Sequence, residues 1–156
     1  MKIPGLQLES SPEELPWRST RDEGIHWIDL RRAGDLEPES ADGNDLSMTV
    51  LIKMDPGRGY PRHRHLGAED VLVLAGGYAD DDGRVFRAGE FVRYPAGSEH
   101  TPVALGSAEE SIGPNNPACV LFAVAHGGTE LADNRQIRAE TNRQRERTHS
   151  PSEGRP

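Results

Sequence analysis

Two histidines, His63 and His65, stand one residue apart in the stretch YPRHRHLGAED, and Glu69 follows. Imidazole nitrogens with a carboxylate form a donor set for a divalent transition metal ion. Calcium, which takes oxygen ligands, does not suit them. Side chains alternate faces along a strand, so positions 63, 65 and 69 share parity and one strand can aim all three at one interior. Arg62 and Arg64 then point the other way, while Val71 and Val73 extend the histidine face as an apolar wall. Lone pairs buried beside such a wall need a partner, and a cation supplies one. His100 lies just past a Pro-Ala-Gly turn in RYPAGSEHTP, and a second hairpin packed across the first brings it to the same face. Three imidazoles and one carboxylate suit Fe(II), Mn(II), Ni(II), Cu(II) or Zn(II). On an octahedral ion they leave two positions for a chelating substrate, or for substrate and oxygen. On tetrahedral zinc they close the site and make it structural. An H-x-H pair alone is common on solvated strands. The joint spacing with Glu69 and the His100 block singles this one out, and His26, His126 and His149 lack such company.

The elements that must position these residues read as strands. GIHWIDL puts Ile25, Trp27 and Asp29 on one face. LSMTVLIKM alternates clearly, with Met48, Val50, Ile52 and Met54 as a core stripe. EDVLVLAGGYADDDGRVF reads as a strand, a turn and a return, with Asp80, Asp81 and Asp82 at a solvated hairpin tip. AGEFVRYPAGSEHTPVAL repeats strand, turn, strand, and ACVLFAVAHGG is a last strong strand. Residues 31–46 read as a polar connection broken by Gly and Pro. ELADNRQIRAETNRQRER, near the C-terminus, supports at most a frayed helix. Short strands between Gly/Pro turns indicate an all-β sandwich or barrel.

These blocks resemble the cupin family. GRGYPRHRHLGAEDVLVLAG fits its first motif, G-(X)5-H-X-H-(X)3-E-(X)6-G, at Gly57, His63, His65, Glu69 and Gly76. GEFVRYPAGSEHTPVA fits the second, G-(X)5-P-X-G-(X)2-H-(X)3-N, at Gly89, Pro95, Gly97 and His100, with Ala104 in place of the final Asn. That Asn is not a metal ligand in the family. Within cupins the chain looks most like the ChrR-type branch, which includes the cupin half of ChrR anti-sigma factors. It also resembles small iron-dependent dioxygenases that cleave acetylacetone or dihydroxyacetophenone. The resemblance implies a small double-stranded β-helix, the cupin jelly-roll barrel, and His63, His65, Glu69 and His100 as ligands of one divalent ion, Fe or Zn ahead of Mn or Ni. It also implies pairing as a homodimer, for which Trp17 and Trp27 offer apolar cover. Tyr60 and Tyr94 are candidate pocket residues, able to hydrogen-bond a carbonyl or a metal-bound water.

The 156 residues suit one domain. We expect an N-terminal extension over 1–23, a cupin domain over 24–128 and a polar tail over 129–156. A net charge of −8 repels phosphate, so neither nucleic acid nor anionic membrane is an expected partner. The single cysteine, Cys119, forms no intrachain disulfide and reads as a buried small hydrophobe. With no apolar leader and no span-length apolar run, a cytoplasmic protein is expected. Two functions fit. One is a dioxygenase that binds a small dicarbonyl or hydroxyketone at Fe(II). The other is a non-catalytic zinc cupin that senses a ligand or a stress, without the anti-sigma domain that precedes the cupin in ChrR, since residues 1–23 hold no His/Cys cluster.

Overall fold

The computed structural model describes residues 15–30 and 47–132. The expected connection over 31–46, the C-terminal helical stretch beyond residue 132 and His149 lie outside the described residues. Among the described residues no helix is long and apolar enough to cross a membrane.

The chain forms a small all-β jelly roll, or double-stranded β-helix. Its main sheet holds six antiparallel strands. Their spatial order is β1 (Arg18–Ser19), β2 (Ile25–Asp29), β3 (Met48–Met54), β11 (Cys119–Ala125), β5 (Glu69–Ala75) and β8 (Phe91–Tyr94). Two three-stranded sheets complete the sandwich. One runs β12 (Thr129–Leu131), β4 (His63–His65), β9 (Glu99–His100). The other runs β10 (Val103–Ala104), β6 (Gly77–Ala79), β7 (Val85–Arg87). β1 and β12 thus pair with strands of the barrel although they lie beyond residues 24–128.

The period-two pattern of β3 and β5 gives each an apolar inner face. Val50 and Met54 meet Val71, Val73, Leu121 and Ala123 in a core that also takes Tyr78 from β6 and Ala104 from β10. Trp27 follows the parity of Ile25 and pairs with Ile52 of β3. It therefore packs against the core and lines the interior cavity, and is not part of an outer apolar face. Trp17 instead lies beneath Lys53, whose ammonium stands 5.7 Å from the ring centroid.

One detail of connectivity positions the site. His65 and Glu69 are not on one strand, as parity alone allows. β4 ends at His65, the chain crosses from one sheet to the other, and β5 begins at Glu69. The segment joining β11 to β12 crosses beside it. Leu66 N–H donates to Gly128 O at 3.0 Å and His126 N–H to Ala68 O at 2.8 Å. The two crossings are so close that a Cβ on Gly67 would run into the carbonyl of His126. We therefore expect Gly67→Ala to lower the unfolding free energy by roughly 1–3 kcal/mol, the usual cost of overpacking. Gly113→Ala, whose Cβ would meet nothing within 4 Å, should melt with the wild type in urea.

Candidate metal centre

His63 and His100 are directly opposed across the β4–β9 pair. His65 lies one pleat further along β4, and Glu69 faces it from the start of β5. All four side chains are buried. One ligand atom from each falls within 4.8 Å of all the others. Arg62 and Arg64 are exposed on the opposite face.

The proton positions follow from the partners behind each ring. His63 Nδ1–H donates to Pro61 O at 2.9 Å, and a carbonyl can only accept. His100 Nδ1–H donates to Asp80 Oδ1 at 2.8 Å. His65 Nδ1 lies 2.9 Å from Ser98 Oγ. That hydroxyl gives its own proton to Pro95 O at 2.6 Å, so it accepts from His65. The tight turn at Pro95–Gly97, with Gly97 at φ +82°, sets both that carbonyl and the start of β9. All three imidazoles thus carry hydrogen on Nδ1 and turn an Nε2 lone pair inward.

Those lone pairs have no protein hydrogen to meet. His63 Nε2 and His100 Nε2 are 2.9 Å apart. His65 Nε2 is fully buried without a hydrogen-bond partner. Glu69 Oε2 is 3.0 Å from it, but out of line for a shared hydrogen. Lone pairs facing each other repel, and a cation among them reverses the sign. Two nitrogens bound to one ion at ~2.0–2.1 Å stand about 3 Å apart when adjacent. The donor set therefore fits a divalent metal ion, with second-sphere acceptors that hold each ring in its tautomer.

The cluster opens onto a cavity of about 50 Å³. A water molecule occupies roughly 10–15 Å³ of such space, so it takes a few waters or a compact ligand. Met48, Val50, Ile52, Leu121 and Ala123 supply apolar walls, and His63, His100 and Glu69 lie at the polar end. No Lys or Arg is among the lining residues described. Tyr60 lines this cavity, its ring edge-on to His63 at 5.1 Å. Burial, and then the charge of Glu69, push its hydroxyl upward, so it remains a donor.

Tyr94 stands behind the histidines, with its ring 4.3 Å from His100 and 5.2 Å from His65. Its hydroxyl donates to Asp80 Oδ2 at 2.6 Å and accepts from Tyr78 at 2.7 Å. Burial raises both phenols, which keeps them protonated. Asp80 departs from the solvated tip expected of it. Its side chain is wholly buried against His100, while Asp81 and Asp82 are exposed as the sequence predicts. Nothing in a lone serine after a turn marks Ser98 in the sequence as an imidazole acceptor. Cys119 is fully buried, and burial pushes its thiol up to about 12.

A family model for the ChrR Cupin-like domain matches residues 8–113. Among solved structures, the chain is similar to one in the crystal structure of Rhodobacter sphaeroides SigE in complex with the anti-sigma ChrR. The identity is 26%, the TM-score 0.52, and the match covers 74% of this chain and 50% of that one. This chain therefore spans about half the length of that relative. An acetylacetone dioxygenase from Acinetobacter johnsonii matches at 13% identity and a TM-score of 0.56, over 80% of this chain and 75% of that one. The polyketide cyclase RemF from Streptomyces resistomycificus matches at 18% identity and a TM-score of 0.52, over 81% and 85%. These last two share the fold, and at such identities they show no more. No curated protein matches the chain significantly.

Burial, followed by the neighbouring His100, lowers His63 from 6.5 to about 4. It is therefore neutral at pH 7 with its lone pair available. Above pH 6.5 this group adds no pH dependence. As pH falls through 6.5 the unfolded chain takes the proton first, so stability is lost progressively down to about 4. Urea unfolding of chelator-treated protein should show the margin of wild type over His63→Gln narrowing across that window. A margin independent of pH contradicts a neutral buried His63.

Proposed function

The chain belongs to the ChrR cupin-like domain family, and from that premise we propose that it is a metal-dependent dioxygenase acting on a small, uncharged dicarbonyl or hydroxyketone. The observation that carries this reading is the cavity itself: the ligand cluster is not sealed by protein but opens onto an apolar space of small-molecule size. A purely structural site has no need of such a space. His63, His65, Glu69 and His100 would hold one divalent ion, iron in the first instance. When bound, it supplies Lewis-acid polarisation of two chelating oxygens and a place for oxygen to react.

The protein's own groups have separate tasks. The aliphatic wall of Val50, Ile52, Leu121 and Ala123 receives the alkyl ends of the substrate and excludes water. Tyr60, which lines the cavity, would donate its hydroxyl hydrogen to a substrate carbonyl. Among the described residues no lysine or arginine lines the cavity to pair with a substrate carboxylate, so neutral substrates are preferred over keto acids. The overall reaction breaks a carbon–carbon bond and places both atoms of oxygen in the products.

A second reading has its own support. The family match and the 26% identity to a chain of the SigE–ChrR complex favour a non-catalytic metal-binding sensor, with zinc in the same four ligands. Elemental analysis of protein purified without added metal, paired with oxygen consumption on a panel of diketones and hydroxyketones, separates the two. Stoichiometric iron with oxygen uptake is the expected result. Tightly held zinc with no uptake on any substrate overturns the enzyme reading. His65→Ala should lose most of the bound metal, and full occupancy in that variant would show that these residues are not the ligands.

A further inference from the structure

The hairpin of β6 and β7 folds back so that Asp80 lies against the rear of His100. Each carboxylate oxygen accepts one hydrogen bond, Oδ1 from His100 Nδ1–H and Oδ2 from Tyr94 Oη–H. Tyr78 donates to Tyr94 in turn. The run of hydroxyls therefore ends on this carboxylate, and each bond polarises the next. Arg84 comes only to 3.6 Å of Oδ2, is half exposed, and is engaged with Asp82 at 2.6 Å. The groups hydrogen-bonded to Asp80 are thus an imidazole and a phenol, and Arg84 adds only a long ion pair from a half-exposed position. A buried carboxylate so placed is costly unless a charge nearby compensates it.

The charge count of the ligand cluster points to what compensates it. Three neutral imidazoles and Glu69 leave a divalent ion with one positive charge unmatched. Asp80 stands one imidazole ring away. From outside, Arg62 pins the hairpin by bonding Asp81 at 2.8 Å and reaching Glu99 at 3.4 Å. The carboxylate is thus held in place by the fold.

We propose that Asp80 completes the charge of the metal centre: acting through the His100 ring, its carboxylate balances the second charge of the ion and fixes that ring with Nε2 toward it. This rests on the metal reading above. Asp80 is a positioning residue, since it reaches the ion only through His100. Tyr94 and Tyr78 in turn hold Asp80, so the hairpin and the second tyrosine become parts of the centre.

The test is the Zn(II) affinity of the full chain, measured by competition with a chromophoric chelator, together with the melting temperature of the metal-free protein. Asp80→Asn keeps the shape and an acceptor for His100 and removes the charge; its NH2 faces the Tyr94 hydroxyl, which accepts from it and donates to Tyr78 instead. It should weaken Zn(II) binding about 10- to 100-fold, while its metal-free form melts no lower than metal-free wild type. Tyr94→Phe removes a bond to Asp80 but not its charge and should weaken Zn(II) binding less than Asp80→Asn does, whereas Asp81→Asn removes a charge that does not touch His100 and should bind Zn(II) close to wild type. Asp80→Asn binding as tightly as wild type overturns this inference alone. Equal losses in Asp80→Asn and Tyr94→Phe also overturn it, because they mark a packing role. Wild type that takes up no Zn(II) overturns both this inference and the metal reading.

Discussion

Three imidazole lone pairs and a carboxylate point at one another at the buried end of a cavity. Without a cation that arrangement is repulsive, and burying it is costly. With one, every contact changes sign. The rest of the site is organised around this constraint. A backbone carbonyl at Pro61, the hydroxyl of Ser98 and the carboxylate of Asp80 each take the Nδ1 proton of one histidine. No ring is left free to turn its protonated face inward.

The jelly roll supplies the convergence by dividing the ligands between two sheets. β4 and β9 bring His63 and His100 together as cross-strand neighbours. The crossing at Gly67 carries the chain to the other sheet, where Glu69 opens β5 opposite Tyr94 of β8. The cavity occupies the space between the sheets, so its aliphatic walls come from the six-stranded sheet and its ligands sit at the edge of the core. Metal, cavity and hydrophobic core are therefore one packing problem. Val71, which belongs to the core cluster, also lines the cavity beside Glu69.

Much of this is legible in the sequence because it depends on local rules. Alternation along Met48–Met54 and Glu69–Ala75 predicts their inward faces, and the structure buries Val50, Met54, Val71 and Val73 as that pattern requires. The spacing of His63, His65 and Glu69 marks them as a set, and parity puts them on one side. Parity alone also permits a single continuous strand, and the structure has a sheet-to-sheet crossing at Gly67 instead. That glycine is explained by His126, far away in sequence. Asp80 is illegible for a related reason. Three aspartates before a glycine have the composition of an exposed turn, and only the tertiary placement of the hairpin buries the first while leaving the others in water. Trp27 shows the same limit: its parity with Ile25 is readable, but which side is the inside depends on the partner sheet.

Anomalous diffraction from crystals of the metal-loaded protein tests the central claim most directly. The account predicts one strong peak within bonding distance of Nε2 of His63, His65 and His100 and of the Glu69 carboxylate, with each Nδ1 still facing its acceptor. A peak elsewhere, or rings flipped to bind through Nδ1, would contradict it.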